Sequence, residues 1–223
     1  MELFEHNFVY ICKKNKMREE IISAYKDIML KGVESVNTYT VSKAAGISEK
    51  DFYKYFSSID AVGRAIWAEL FHKVQEELSN SEVYKEYGSR EKILAYFFTF
   101  FDVALPEKAF MLKTYFKPNI IEDYRKKYRE FVSHLVEEGI EKQEIKERFT
   151  ISNYYPEVIW LLHLRLLHFW LHDDSEHHID TEKAIEVFSK VPLELMGENL
   201  FDSLFDSLKF TFERFNLDKF KIF

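Results

Sequence analysis

Six residues of one short stretch, Trp160, His163, Arg165, His168, Trp170 and His172, carry many of the side chains able to do chemistry. His168 and His172 stand four apart and so share a helix face, a spacing at which two imidazoles can hold one metal ion. His177 and His178 follow close behind. No glutamate stands between the pair as in a zinc-protease motif, and no cysteine assists, so a surface or interface histidine pair is the plainer reading and no metal is expected. Arg165 lies among apolar neighbours. It must snorkel to water, pair with a carboxylate across helices or across a dimer, or meet an anionic ligand head group. Ser, His and Asp are all present, but without a nucleophile elbow or a glycine-rich phosphate loop. The sequence therefore predicts no enzyme and no cofactor.

The elements that must position these residues are helical. Only 6 Gly and 4 Pro interrupt 223 residues, and long stretches without a breaker suit helices better than many short strands. The length has room for a small module joined to a larger body. The net charge of −7 argues against phosphate binding over the whole surface, so any contact with nucleic acid must be confined to one end. The single Cys12 excludes an internal disulfide framework and is compatible with a reducing cytoplasm. No cleavable signal is visible in the first fifteen residues. The greasiest run, Val158 to Leu171, is too short and too polar to insert in a membrane, which needs roughly 20 apolar residues.

Hydrophobic periodicity and breakers divide the chain into about nine helices. Ile21, Tyr25, Ile28 and Met29 fall at helical spacing between Arg18 and Leu30, and Gly32 supplies a stop. A short helix from Thr38 to Ala45 ends at Gly46. Ser48 then caps a third helix, with Asp51 three residues on as an acidic variant of the capping box. Val62, Ile66, Leu70, Val74 and Leu78 repeat every four residues as one buried stripe. Ser79 to Arg90 reads as a loop. Helices follow at about Glu91–Val103, Glu107–Phe116, Ile120–Gln143 and Pro156–His172. Thr181 to Phe215 gives one or two more, with a bend near Pro192 or Gly197.

Residues Val41 to Phe56 read V-S-K-A-A-G-I-S-E-K-D-F-Y-K-Y-F. Ala45 is small where two helices must approach closely, Gly46 can take the positive φ that ends the second helix, Ile47 plugs the space between helices, and Ser48 caps the third. This run resembles the signature of the tetracycline-repressor (TetR) family: a small residue, Gly, a β-branched residue and Ser, then Tyr-x-Tyr-Phe after a short helix. Ile21, Ala24 and Gly32 sit where that family places its first-helix apolar face and terminating glycine. The resemblance is detailed over about residues 17 to 67.

The resemblance implies an all-α protein with an N-terminal helix-turn-helix and a larger C-terminal ligand-binding and dimerisation domain. Residues 1–16 would form an arm, 17–61 the DNA-binding domain and 62–223 the second domain. It implies a homodimeric, ligand-responsive transcriptional regulator, a repressor, that binds a double-stranded DNA operator. Carried onto this chain, the DNA-facing residues would be Tyr39, Thr40, Lys43, Lys50, Tyr53 and Lys54, with Lys13, Lys14, Lys16 and Arg18 as a basic arm over the phosphates. This chain departs from the family at Lys50, where glycine is common, and at Ile59, where lysine is common. Glu49 and Asp51 also flank Lys50. The alternative is a TetR-like lipid or small-molecule binding protein that has lost DNA binding.

The aromatic stripes Tyr96, Phe97, Phe100, Phe101 and Phe110, Tyr115, Phe116 read first as core. In the family the same helices wall a ligand cavity, which makes Phe97, Phe101, Tyr115, Trp160, His163 and Arg165 the expected pocket residues for an apolar or acidic small molecule. The dimer interface is expected on Pro156–His172 and Thr181–Phe215, where apolar residues occupy more than one face.

Overall fold

The structure is a computed structural model that describes residues 2–32, 35–148 and 152–197, with side chains from residue 15 onward. Every regular element among them is helical. Helix α1 spans Glu2–Lys31, α2 Thr38–Ala44, α3 Glu49–Phe52, α4 Ile59–Asn80, α5 Glu82–Glu86 and α6 Ser89–Ala104. A 3₁₀ turn, Leu105–Glu107, leads into α7 at Lys108–Thr114. The chain continues through α8 at Pro118–Glu141, α9 at Tyr155–Leu171 and α10 at Ile179–Met196. These ten α-helices among the described residues stand close to the expected nine.

The chain forms two compact units that interleave along the sequence: Met1–Glu76 with Asp102–Lys127, and Glu77–Phe101 with Tyr128–Phe223. The sequence reading places its divisions after residues 16 and 61.

In the first unit α1 buries Ile21, Ile22, Tyr25, Ile28 and Met29, and Val41 of α2, Phe52 of α3 and Phe56 beyond it add to the core. Burying each such side chain contributes about 1.5–3 kcal/mol. The expected stripe of α4 is buried throughout, from Val62 to Leu78. Trp67 of α4 packs on Tyr124 with ring centroids 5.1 Å apart, and its indole donates to Thr114 Oγ1 at 3.2 Å. Lys26 and Glu107 form an ion pair that ties α1 to the turn before α7.

In the second unit α6, α8 and α9 meet in an aromatic core. Gly139 of α8 lets Ser89 and Ile145 approach, since a Cβ there would lie 2.9 Å from Ser89 Cβ and 2.6 Å from Ile145 Cδ1. The end of α10 is held by Arg148, whose guanidinium donates to Leu195 O and Gly197 O, both at 2.9 Å, and to the Tyr155 hydroxyl at 2.8 Å. Two carbonyls at the C-terminal end of α10 thus find a cationic donor.

Several boundaries differ from the sequence reading. Helix α1 starts at Glu2, some sixteen residues before Arg18, so the segment read as an arm is helical. The expected loop Ser79–Arg90 holds α5, whose start is capped by Ser81 accepting from the Tyr84 amide at 3.3 Å. Phe116, read with the core stripe, is 66 % exposed, because α7 ends at Thr114 and only Tyr115 turns inward. Helix α10 continues through Pro192 and stops before Gly197. Residues 198–215 of the expected interface lie outside the described residues. Among those described, no helix is long and apolar enough to cross a membrane.

Candidate functional site

Helices α2 and α3 are built by two caps and a glycine. Asn37 starts α2 with a complete capping box: its carboxamide accepts from the Thr40 amide at 2.9 Å, and the Thr40 hydroxyl accepts from the Asn37 amide at 3.1 Å. Gly46 then takes φ +69°, which lets the Ile47 amide fold back onto Ser42 O at 3.0 Å. Ser48 starts α3 by accepting from the Asp51 amide at 3.1 Å. The capping roles of Gly46 and Ser48 are as the sequence suggested. Asn37 was missed, although its type and its place before Thr38 are themselves a capping signal.

These constraints turn Val41, Ser42, Phe52 and Phe56 inward and leave Tyr39, Lys43, Lys50, Tyr53 and Lys54 exposed. Lys43 Nζ lies 6.0 Å from the centre of the Tyr39 ring, a cation–π contact. Thr40 is half-buried and its hydroxyl serves the cap, donating to Asn37 O at 3.0 Å. Lys54 Nζ sits 2.6 Å from Asp51 Oδ1, and Ser48 Oγ donates to Asp51 Oδ2 at 2.7 Å. The hydrogen bonds from Lys54 and Ser48 hold the Asp51 carboxyl below its usual range. Arg18 lies 5.3 Å over the Phe56 ring, so part of the expected basic arm packs against the third-helix segment.

Four of the expected pocket residues come together in the second unit. His163 is fully buried, its ring stacked on Tyr128 at 4.8 Å and on Phe97 at 6.0 Å, with Phe100 edge-on at 4.6 Å and Trp160 at 5.8 Å. Phe101 stacks on the same imidazole at 6.5 Å. Burial lowers the His163 pKa to about 3, so the ring is neutral and behaves as part of an apolar cluster. Tyr115 belongs to the other unit, against Phe116 at 4.0 Å. Arg165 is exposed and its guanidinium lies 5.8 Å over the Phe188 ring.

The second unit also carries two clefts. One, of about 670 Å³, is lined by Arg90, Glu91, Leu94, Glu144, Lys190 and Leu193 among others. The second, of about 560 Å³, lies along Tyr84, Tyr87, Leu94 and Phe98. Sequence reasoning named none of these residues as a pocket wall; of them, Tyr84 lies on α5, which was read as loop. His168 and His172 do pair, with ring centroids 4.5 Å apart and His172 Nδ1 2.8 Å from His168 O. Among the described residues no group of three or more His, Cys, Asp or Glu side chains is placed to hold a metal ion.

Residues 92–211, more than half of the chain, match the family model described as the tetracyclin repressor-like C-terminal domain. The chain belongs to the TetR family of transcriptional regulators. The match covers the part of the chain in which the sequence offered only length and helical pattern, so it adds to the detailed N-terminal motif. No curated protein sequence gives a significant match.

Solved TetR-family structures share the fold. A regulator from Syntrophomonas wolfei superposes with a TM-score of 0.65 at 16% identity, covering 83% of this chain and 97% of its own. The FadR repressor of Thermus thermophilus, solved with lauroyl-CoA, gives 0.61 at 16% identity over 82% of this chain and 96% of its own. FadR of Bacillus subtilis, solved with stearoyl-CoA, gives 0.56 at 16% identity over 82% and 98%.

Proposed function

We propose that this TetR-family chain is a ligand-responsive, DNA-binding repressor that acts as a homodimer. The observation that carries the reading is the exposed face of the helix-turn-helix. Two side-chain caps and the Gly46 turn hold α2 and α3 so that Tyr39, Lys43, Lys50, Tyr53 and Lys54 face solvent together. In a helix-turn-helix dimer two such faces stand about 34 Å apart, one turn of DNA, and a ligand acts by changing that spacing.

Dimerisation is supported by α9 and α10, which pack together while leaving Val158, Leu161, Val187 and Val191 exposed. Apolar groups concentrated on two adjacent helices mark an association surface. The ligand of this reading is an apolar or acidic small molecule. The FadR structures with acyl-CoA make a fatty acyl thioester the first compound class to test. The aromatic cluster of Phe97, Phe101, Trp160 and His163 offers such a chain an apolar lining, and a ligand there has to part rings that are packed in its absence.

A second reading, a TetR-like small-molecule binder without DNA binding, is favoured by one observation. Lys54 is paired to Asp51 and Glu49 stands beside Lys50, which reduces the positive charge that this face can offer to phosphate. Selection of genomic DNA fragments with the purified protein at stated salt decides between the two. Recovery of a palindromic site supports the repressor, and recovery of no sequence supports the second reading.

A further inference from the structure

Two carboxylates, Glu49 and Asp51, flank Lys50 at the start of α3. By type they are equivalent: each repels phosphate, and each can accept from the N4 amino group of cytosine in the major groove. Geometry separates them. Both oxygens of Asp51 hold an internal donor, Oδ2 from Ser48 Oγ at 2.7 Å and Oδ1 from Lys54 Nζ at 2.6 Å. Its carboxylate is thereby fixed along the helix, toward the cap on one side and the next turn on the other. Glu49 is exposed, and among the described residues its carboxylate makes no hydrogen bond or ion pair. It is the first residue after the cap, and the leading side chains of a recognition helix are those that reach base edges. With Lys50 and Tyr53 it shares the exposed face, while Phe52 fills the core behind them.

We propose that Glu49 is a specificity-determining residue that reads a cytosine in each half-site, and that Asp51 is a positioning residue that holds the Ser48 cap and Lys54. This rests on the DNA-binding reading above. An acidic reader also explains how a face with few free cations discriminates among sequences: the carboxylate adds nothing to non-specific affinity, so its contribution appears only at the correct base. Asp51 acts through Lys54, whose ammonium it holds at 2.6 Å.

The test uses the full-length protein and the DNA site selected by the wild type, with each C·G pair of the half-site changed in turn to T·A and A·T. The expected result is one position at which wild type prefers cytosine by about tenfold or more. Glu49→Ala abolishes that preference while keeping or raising affinity for non-specific DNA. Glu49→Gln moves the preference toward adenine, which a carboxamide reads at N6 and N7. Asp51→Asn keeps the cytosine preference, because it alters only the Ser48 cap and the partner of Lys54. If Glu49→Ala still binds the selected site with its cytosine preference intact, or if Asp51→Asn is the variant that loses it, the assignment is overturned while DNA binding stands. If the wild type selects no DNA, both the assignment and the DNA-binding reading fall.

Discussion

The His163 imidazole stacks on the Tyr128 ring at 4.8 Å and 25°, fully buried, with its pKa lowered to about 3 by that burial. An unfolded histidine titrates near ~6.5. Between these values the unfolded chain binds a proton that the folded chain refuses, so this group's contribution to stability is fully present above about pH 6.5 and is lost as the pH falls toward 3. The slope is about 1.4 kcal/mol per pH unit for one proton. His163→Phe should remove that slope. Urea midpoints at pH 7.5 and pH 5 check this, and a variant as acid-sensitive as wild type would show that His163 is not the group responsible.

Asp173 acts in a lower window. Burial alone would raise its pKa, but hydrogen bonds from the side chains and amides of Ser175 and Thr181 outweigh it and hold the carboxyl at about 2. The Thr181 amide and hydroxyl both donate to Oδ2, at 2.9 and 2.5 Å, so the carboxylate caps the start of α10. A depressed carboxyl stabilises above its unfolded pKa of ~3.9, and that contribution is lost as the pH falls to about 2. Asp173→Ala removes the cap and should cost about 1–2 kcal/mol at pH 7. Thermal unfolding at pH 7 and at pH 3 should show the difference shrinking in acid.

Replacing Lys50 by Ala should flatten the logarithmic salt dependence of DNA binding by about 0.9 per protomer, as one phosphate contact is lost. Lys54→Ala should change it less, because Asp51 already matches that ammonium at 2.6 Å. Titrations at four salt concentrations measure both slopes. Equal slopes for wild type and Lys50→Ala would remove Lys50 from the interface.

Leu161 and Val187 are 57 % and 65 % exposed on α9 and α10. Sedimentation at micromolar concentration should find wild type dimeric, and Leu161→Asp or Val187→Asp shifted to monomer with its helical spectrum unchanged. A monomeric wild type would refute the dimer.

Gly139→Ala pits helix propensity against packing. Alanine gains about 1 kcal/mol in a helix interior, but its Cβ would sit 2.9 Å from Ser89 Cβ. Overpacking of this kind costs about 1–3 kcal/mol. We expect a lower urea midpoint, and a higher one would show that Ile145 and Ser89 have room to move.

What the sequence determined by itself is whatever depends on neighbours along the chain. The helix-turn-helix is legible because Gly46 and Ser48 act on residues two to five positions away, and the α4 stripe is legible because Val62 to Leu78 repeat at the helical period. Gly32 marked the end of α1 for the same local reason, whereas its start was obscured by alternating apolar and polar residues before Arg18. Only the tertiary structure decided which of two like side chains is free. Asp51 and Glu49 are both acids beside Lys50; the three-residue spacing of Ser48 and Asp51 marks the cap, but that Lys54 takes the second Asp51 oxygen is seen only in the folded chain. Likewise His163 and His168 lie on one helix five residues apart, yet one is enclosed by six aromatic rings and the other is in water, since an environment made by α6, α8 and α9 together is written in no single segment.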